Sequence, residues 1–479
     1  MAGIGETAAS SGKDLATDMT GMIDSSVFTG RLFLAGDAGF EEAVLGRVFN
    51  ARRPGRRPAA VLAAASEQDV VAGVRLARAQ GWKVAVRAGG HSWAAWSVRE
   101  EGLLIDLGGL QEIVYDEASG IVSAGPAVKG GDELNPFLAT RGRFFNGGHC
   151  PSVGIGGFLL QGGMGWNARG WSWAAENVVA IDVVTADGEL VRASAEDNSD
   201  LLWAARGAGP GFFGVVTRFH LRTLPLPQAL HESVHVYPAA LYEPVMTWLY
   251  DTHTRVSTDV EIVAIAQTPA EPVEGHTGQV LVVTGLALVD TPEAAAAALA
   301  PFTSCPVLEQ ALLRVDAAPT TFADQLVRQR AANPEGLRYV VDNAWVQGPA
   351  EVAVPAMRSA FTGLPTDRTF TIFFSMGPTR QLPDMALSLQ TDVYLATYAV
   401  YDDPARDGEV RAWLDGVMTE LAPVTAGQYL GDFDLATRPA TFLGQAQWER
   451  LAQIRAKRDP GGLFHGYPTF RDDPAKGAR

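Results

Sequence analysis

The sequence predicts an α+β fold of two domains, and three observations carry this prediction. Strand-like runs alternate with helical runs and glycine-rich turns from about residue 55 to residue 225. The dipeptide repeat Leu224-Pro225-Leu226-Pro227 then breaks the pattern, and strand-like runs without glycine clusters follow at 280–288 and 369–376. The length of 479 residues also exceeds one ordinary domain. We therefore divide the chain into residues 1–225, 226–426 and 427–479.

Composition narrows the classes of partner. The net charge of −16 argues against nucleic acid and anionic membranes, because both attract basic surfaces. Hydrophobic residues at 47% and charged residues at 19% are typical of a globular protein with a large core. The first thirty residues have no apolar stretch of the kind a secretory leader needs, and no run of 18 apolar residues predicts a membrane span. Small molecules are the expected partners, and the oligomeric state is left open.

The first domain starts with recognisable helix and strand signals. Ser66 followed by acidic residues predicts a helix N-cap, and Gly81 predicts the C-cap of the same helix. The segment 82–87 is predicted to be a strand that leads into the turn 88–91. Further strands are predicted at 103–107, 120–125 and 180–185. Glycine-rich turns between such elements are typical of a nucleotide-binding domain.

The second domain has weaker signals. Thr291-Pro292-Glu293 predicts the start of an alanine-rich helix, with Thr291 as N-cap and proline at the first position. Strands at 280–288 and 369–376 flank it, so a sheet with helices and without phosphate-binding turns is expected. Near the C-terminus, 448–455 predicts an amphipathic helix that Asp459-Pro460 ends.

Two glycine-rich turns carry the residues with most chemistry. The turn 87–92 presents His91 and the turn 147–157 presents Cys150. Glycine lets backbone N–H groups approach a phosphate or a planar ring closely, because no Cβ intervenes. An imidazole and a thiol beside such turns are suited to catalysis, to metal binding or to attachment of a cofactor.

These two turns resemble those of the berberine-bridge-enzyme-like flavoproteins, which share the vanillyl-alcohol-oxidase fold. The match runs from about residue 55 to 225, through Val86-Arg87-Ala88-Gly89-Gly90-His91-Ser92, and again from about 427 to 465, where Asp459-Pro460-Gly461-Gly462-Leu463-Phe464 stands near the family's ending. The resemblance implies a two-part PCMH-type FAD-binding domain, formed by the first segment and the returning C-terminal segment. An α+β substrate domain, an antiparallel sheet covered by helices, is expected to be inserted between them.

The resemblance also implies how FAD is held. His91 would bond the 8α-methyl group and Cys150 would bond C6 of the ring, which makes FAD bicovalent. Cys305 would then be unpaired, as is usual in a reducing cytoplasm. Val153 would border the ring near C4a, where a small side chain admits O2. Besides His91, Cys150 and Val153, the cofactor-binding residues are expected to be Arg87, Ala88, Gly89, Gly90, Ser92, His149, Ser152, Gly154, Gly156, Gly157, Gly163, Asn177, Val178, Val216 and Tyr467.

Three other interpretations fit the sequence less well. The segment 209–214 satisfies the G-x-G-x-x-G fingerprint, but the β-branched run after it predicts a strand where a dinucleotide site needs a helix. A cysteine hydrolase built on Cys150 and His149 is disfavoured, since sequence neighbours rarely hold nucleophile–base geometry. Zinc is disfavoured because the two cysteines, Cys150 and Cys305, form no ligand cluster, so no metal site is expected.

The catalytic base has no motif, because no carboxylate or histidine in 369–433 is singled out. On a strand, alternate residues share a face, so Asp392, Tyr394, Ala396 and Tyr398 are expected to point together. Tyr394 and Tyr398 are therefore the expected catalytic residues, provided that one has a lowered pKa, and Tyr429 is the next candidate. Ordinary half-buried strand tyrosines are an equally good interpretation.

The predicted function is an FAD-dependent oxidase that takes a hydride from an alcohol, a sugar or another C–H or C–N centre of a small metabolite. Two electrons would then reduce O2 to H2O2. A dehydrogenase of the same fold with another electron acceptor is the first alternative. A flavin-binding or ligand-binding protein without catalysis is the second, because Gln390, Gly431 and Tyr467 depart from the family's substrate-facing pattern.

Overall fold

A computed structural model describes residues 23–467 of the chain, and it has the α+β architecture expected from the sequence. The expectation that a secretory leader is lacking concerns residues that fall largely outside this range. No helix within 23–467 combines the length and apolarity that a membrane crossing requires.

Nineteen strands are present in residues 23–467. In chain order they are β1 (Arg31–Leu34), β2 (Ala60–Ala63), β3 (Val84–Arg87), β4 (Leu103–Asp106), β5 (Ile113–Asp116), β6 (Ile121–Ala124), β7 (Arg143–Phe144), β8 (Val178–Val184), β9 (Leu190–Ala193), β10 (Val215–Arg222), β11 (Leu224–Pro225), β12 (Ala229–Pro238), β13 (Val260–Gln267), β14 (Val280–Val289), β15 (Leu313–Thr320), β16 (Arg338–Val346), β17 (Phe370–Ser375), β18 (Val393–Tyr401) and β19 (Thr425–Gly427).

Twelve α-helices are present in the same range. They are α1 (Phe40–Leu45), α2 (Glu67–Gln80), α3 (Asn135–Ala139), α4 (Ile155–Leu160), α5 (Ala168–Trp171), α6 (Ser199–Ala205), α7 (Tyr242–Thr252), α8 (Pro292–Leu299), α9 (Phe322–Ala332), α10 (Ala350–Thr362), α11 (Asp407–Leu421) and α12 (Gln445–Arg458).

The first half of the chain contains two main sheets. One has the order β1-β2-β4-β3 and pairs β2, β4 and β3 in parallel, while the other has the antiparallel order β5-β6-β10-β8-β9. Helix α2 begins at Ser66, whose hydroxyl accepts from the Asp69 backbone, and ends at Gly81 in the left-handed region, as predicted. Strand β10 follows the 209–214 glycines directly, so the context of a dinucleotide fingerprint is not met.

The second half is organised on one antiparallel sheet of eight strands, in the order β15-β12-β14-β13-β17-β18-β16-β19. Helices α7, α8, α10 and α11 cover one face and close a hydrophobic core over it. The opposite face carries aromatic residues such as Tyr339, Trp345 and Phe374, and it packs toward the first half of the chain. This face therefore supplies one wall of the space between the two halves.

The C-terminal segment contacts the first half of the chain. Phe464 forms a parallel bridge to Val84 on β3, and helix α12 packs on α6. Asp459 caps the end of α12 by accepting from the backbone N–H groups of Leu463 and Phe464, at 2.7 and 3.1 Å. The Asp459-Pro460 signal thus ends the helix and directs the chain back along β3.

Candidate active site

A cavity of about 930 Å³ lies between the glycine-rich turns of the first half of the chain and the face of the eight-stranded sheet that helices do not cover. Its wall combines the segments 84–93 and 148–157 with residues of β13, β14, β17 and β18 and with the 429–432 loop. This volume is in the range of cofactor and substrate sites. The cavity is therefore where the predicted site residues have to be located.

His91 enters this cavity from the turn after β3. Gly90 before it has a φ of 78°, and a Cβ there would collide with the Arg47 backbone, so only glycine fits the turn. The imidazole stacks on Phe49 with a centroid distance of 4.5 Å, and its Nε2 lies 3.1 Å from the Ser152 hydroxyl. Burial, helped by the positive charge of Lys129, lowers the pKa of His91 to about 4. His91 is therefore a neutral imidazole at physiological pH.

The Cys150 thiol also contacts the Ser152 hydroxyl. Its Sγ lies 3.7 Å from Ser152 Oγ, and it lines the same cavity. Burial raises the pKa of the Cys150 thiol, which opposes formation of the thiolate. The fold thus places the side chains of His91 and Cys150 in contact with one hydroxyl group, that of Ser152.

Glycines hold the two turns in register. A Cβ on Gly89 would lie 2.7 Å from the Gly154 nitrogen, and one on Gly156 would lie 2.8 Å from Pro126 Cβ, so both positions need glycine for close backbone packing. Gly157 differs, because a Cβ there would meet nothing within 4 Å and would project into open space at the cavity wall. Beneath the turns, the buried pair of Arg87 and Asp106 ties β3 to β4.

The cavity wall also has buried polar nitrogens that are left without a hydrogen-bond partner within residues 23–467. These are Nε1 of Trp96 and Nε2 of His465, and burial lowers the pKa of His465 to about 4. Buried polar groups normally have partners, so the unpaired Trp96 N–H at the cavity wall indicates a ligand with acceptor atoms. FAD has such acceptors along its whole length, and the exposed backbone at Gly157 fits its close approach. The residues present therefore fit this cofactor.

His149 is held by a carboxylate that sequence reasoning missed. Its Nε2 lies 3.0 Å from both carboxylate oxygens of Glu261 on β13, and Glu261 also accepts from the Asn167 backbone at 2.6 Å. His149 further packs on Trp166, at a centroid distance of 4.4 Å. Glu261 shares its strand face with Val263 and Ile265, so a lone charge in an apolar strand was the available signal. The contact joins the Cys150 loop to the eight-stranded sheet.

Glu261→Gln should lower the free energy of unfolding by roughly 1.5–3 kcal/mol, because the change removes the charge from hydrogen bonds made by a buried carboxylate. Urea denaturation measures this loss. The exposed Glu271 provides the control, and Glu271→Gln should leave the urea midpoint unchanged. Equal midpoints for Glu261→Gln and wild type would show that the contact contributes little.

A second carboxylate, Asp432, lies in the cavity wall and accepts hydrogen bonds from groups of both halves of the chain. Tyr394 donates to its Oδ2 at 2.7 Å and Trp93 donates to its Oδ1 at 2.9 Å. Burial raises the pKa of Asp432 above its usual range, and the hydrogen bonds from Tyr394, Trp93 and Tyr398 partly oppose that rise. A carboxylate with a raised pKa in a cavity is the group expected of a general base.

The position of Asp432 is fixed from the sheet. The Asn343 side chain on β16 donates to the backbone carbonyls of Asp432 and Tyr429, at 2.8 and 2.9 Å, and accepts from the Tyr429 N–H at 2.8 Å. Asn343 is fully buried. One buried amide therefore clamps the loop that carries the carboxylate.

The expected tyrosines reach the cavity, but the expected direction of their pKa is reversed. Tyr394 and Tyr398 share one face of β18, as predicted. Burial and the charge of Asp432 raise the pKa of both phenols well above 10, and burial also raises the pKa of Tyr429. Raised pKa values keep all three phenols protonated, and Tyr394 and Tyr398 act as hydrogen-bond donors to Asp432 and not as bases with a lowered pKa.

Asp392 is a further correction. It precedes β18, and its carboxylate turns to accept from the Thr379 backbone at 2.7 Å. It is not part of the cavity wall with Tyr394 and Tyr398.

The structure brings most of the predicted cofactor residues to the cavity wall. Those that line it are Arg87, Ala88, Gly89, Gly90, His91, Ser92, His149, Cys150, Val153, Gly154, Gly156, Gly157 and Val216.

Ser152 is not part of the wall but contacts His91 and Cys150, and four other predicted residues lie elsewhere. The Asn177 amide donates to Ser172 at 3.2 Å, and the Val178 carbonyl accepts from Arg206. Gly163 occupies a left-handed turn packed on Phe158 and Ala174. Tyr467 donates to the Ala208 carbonyl at 2.6 Å and packs on Phe442 and Trp448. They are not part of the described cavity wall, so their assignment to the cofactor stays a prediction.

Several known proteins are similar to this chain in sequence or in fold. A family model for FAD-binding domains matches residues 58–194. The FAD-linked oxidoreductase ptmO of Penicillium ochrochloron is 35% identical over 88% of this chain and 92% of its own length. The carbohydrate oxidase of Microdochium nivale is 33% identical over 41% of this chain and 40% of its own length. The structure of Physcomitrella patens BBE-like 1 superposes with a TM-score of 0.80 at 19% identity, covering 92% of this chain and 96% of that one.

Proposed function

The chain belongs to the berberine-bridge-enzyme-like FAD-linked oxidoreductases, and we propose that it is an oxidase which removes hydrogen from an alcohol, a sugar or another C–H or C–N centre of a small metabolite. One observation carries this proposal. A single cavity holds His91 and Cys150 at one point and a hydrogen-bonded carboxylate, Asp432, in the same wall. The name of the Microdochium nivale relative, a carbohydrate oxidase, supports oxidase chemistry in this fold.

His91 and Cys150 are proposed to hold FAD covalently. Neutral imidazole keeps a lone pair for bond formation, and the low pKa of His91 provides it. The two side chains contact one hydroxyl, that of Ser152, which places them close enough to bind one cofactor. Bound FAD would supply hydride acceptance and electron transfer to O2, and the protein supplies position and proton transfer.

Asp432 is proposed to accept the substrate proton. Tyr394 and Trp93 hold one carboxylate oxygen each, so the carboxylate keeps a fixed orientation in the cavity wall. Tyr398 adds a third protonated donor beside it. Tyr394 and Tyr398 thus become positioning residues of one carboxylate, whereas the Tyr429 hydroxyl accepts from the Met164 N–H.

We assign the access of O2 to the space beside Val153. This side chain lines the cavity three residues after Cys150, and its carbonyl accepts from the Gly130 N–H at 3.0 Å, which fixes its backbone. A small side chain at a fixed position leaves room for O2.

Val153→Leu should slow reoxidation of the reduced enzyme by O2 far more than it slows reduction by substrate, since an added methylene fills space next to the cofactor. Stopped-flow absorbance measures the two half-reactions separately. Val216→Leu, also at the cavity wall but on β10, serves as the control for a general change in packing. Equal slowing of both half-reactions in Val153→Leu would contradict a role in oxygen access.

The proposal is tested by anaerobic bleaching of the yellow enzyme with a panel of alcohols, sugars, phenols and amines. Bleaching by one class, followed by rapid recovery of colour in air with H2O2 formation, is the expected result. Bleaching with slow recovery in air and rapid recovery with a quinone would identify a dehydrogenase. No bleaching by any compound would overturn the enzymatic proposal.

Two expectations from the sequence remain proposals. We assign residues 1–225 and 427–479 to the FAD-binding domain and 226–426 to the substrate domain, and the sheet organisation is consistent with this division. A cytoplasmic location is supported by Cys305, which has no cysteine partner once Cys150 holds FAD.

A further inference from the structure

The cavity face of the eight-stranded sheet has an unusually apolar centre. Six side chains that point into the cavity from β13, β14 and β17 form what we call the apolar floor: Val263, Ile265, Val282, Phe370, Ile372 and Phe374. Residues between them on the same strands, such as Ala264 and Phe373, point to the helix-covered core instead. The floor is therefore a true face of the sheet, set by strand alternation.

Strand register makes the floor continuous. Ile265 pairs with Val282 on one side and with Ile372 on the other, so three aliphatic side chains lie in one row. Val263 pairs with Phe374 in the next row. With β18 beside them, four neighbouring strands extend roughly 14 Å across the sheet, which is enough for four fused rings.

The floor leads directly to the proposed base. Phe374 pairs with Tyr394 on β18, and Phe370 pairs with Tyr398 with their rings stacked at 4.6 Å. Tyr394 donates to Asp432. A molecule that lies on the floor consequently has one end beside the carboxylate.

Two of the charged groups around the floor are engaged by protein. Glu261 is occupied by His149 and by the Asn167 backbone. Arg328 on α9, also at the cavity wall, uses two nitrogens on the two oxygens of Glu232. Thr284 on β14, paired with Val263, and Gln267 on β13, two residues after Ile265, are polar side chains on the same face.

We infer that the substrate is a largely hydrocarbon, ring-bearing alcohol or amine which lies on the apolar floor with its reacting carbon beside Asp432. This inference rests on the proposed oxidase function and narrows its substrate class. Apolar rings gain by leaving water for such a surface. A sugar would bring hydroxyl groups that lose water there without gaining partners, and buried polar groups without partners are costly.

Binding to the holoenzyme tests the inference independently of turnover. The probes are tritiated pregnenolone, a fused-ring alcohol, and cellobiose, a sugar, measured by equilibrium dialysis in the absence of oxygen. Pregnenolone should bind, and excess cellobiose should not displace it. Absence of pregnenolone binding, or its displacement by cellobiose, would overturn the inference.

Two variants that should change the Kd for pregnenolone in opposite directions make the test more specific. Ile265→Asn should raise the Kd for pregnenolone by about tenfold or more, because it replaces a buried aliphatic contact with an amide. Thr284→Val keeps the side-chain shape, removes the hydroxyl and should lower the Kd. Val352→Asn, on the exposed side of α10, should leave it unchanged. A Kd that Thr284→Val raises or leaves unchanged would overturn the inference even if Ile265→Asn failed to fold.

Failure of the inference and failure of the proposed function give different results. Bleaching by cellobiose without pregnenolone binding would overturn the inference and leave the oxidase function standing. Pregnenolone binding with the expected variant effects, but with no bleaching by any alcohol or amine, would support the floor as a binding site and overturn the oxidase function.

Discussion

Acid precipitation of the wild-type protein should leave its yellow colour in the pellet, and its intact mass should exceed the chain mass by one FAD. The single variants His91→Ala and Cys150→Ala should each keep a coloured pellet, because the other side chain still provides a bond. The double variant should release all of its FAD into the supernatant. Absorbance of the two fractions and intact mass spectrometry measure these outcomes.

The physical reason is the shared contact with Ser152. His91 Nε2 and Cys150 Sγ lie 3.1 and 3.7 Å from the same hydroxyl, so the two side chains are close enough to bond to one cofactor. Cys305 provides the matched control, because it is a buried free cysteine of the helix-covered core, away from the cavity. Cys305→Ala should keep the mass and the colour of wild type. Free FAD from denatured wild type would refute covalent attachment.

The sequence singled out His91 and Cys150, which both line the cavity, for a local reason. His91 and Cys150 each stand in a turn whose glycines are required by backbone contacts, such as Gly89 against Gly154, so the motif and the geometry coincide. Strands β3, β4, β8, β10, β14 and β17 and helices α2, α8 and α12 also follow from local capping and alternation signals. The comparisons with known proteins confirm the predicted α+β class, FAD-binding family and oxidoreductase activity.

The sequence could not predict Asp432 and the groups that bind it, because this part of the site depends on contacts between distant segments. Asp432 has a second carboxylate, Asp434, two residues away, and nothing local distinguishes them. In the structure Asp432 receives Tyr394 and Trp93, whereas Asp434 accepts from the Ala436 backbone at 3.0 Å and caps its own turn. The Asn343 clamp that makes this choice lies 89 positions earlier in the chain.

The tyrosine pKa values illustrate the same limit. Strand alternation placed Tyr394 and Tyr398 on one face correctly, but their surroundings decide their chemistry. A cation would have lowered a phenol pKa, whereas burial raises the pKa of both phenols and the carboxylate of Asp432 raises it further. Both causes depend on elements that are distant in the sequence.

Asp432→Asn should lower kcat/KM by roughly 10²–10⁴, the usual loss when a well-placed base is removed. The wild-type kcat/KM should rise with pH through one ionisation, because the carboxylate must be deprotonated to accept a proton. Burial raises the pKa of Asp432 above its ordinary value of 3.8, so this rising limb lies at higher pH than for an exposed aspartate. The variant should lose the limb. The rate of anaerobic reduction by substrate, measured across pH, reports both effects.

Tyr394→Phe separates this assignment from a tyrosine base. The Tyr394 hydroxyl lowers the pKa of Asp432 by donating to it, so its removal should move the rising limb to higher pH and leave the enzyme active. If Tyr394 were the base, the Phe variant would instead lose the limb. Asp434→Asn is the matched control and should keep the wild-type profile. An Asp432→Asn enzyme with an intact limb would place the base elsewhere, and the Glu261–His149 pair at the cavity wall would then be the next group to change.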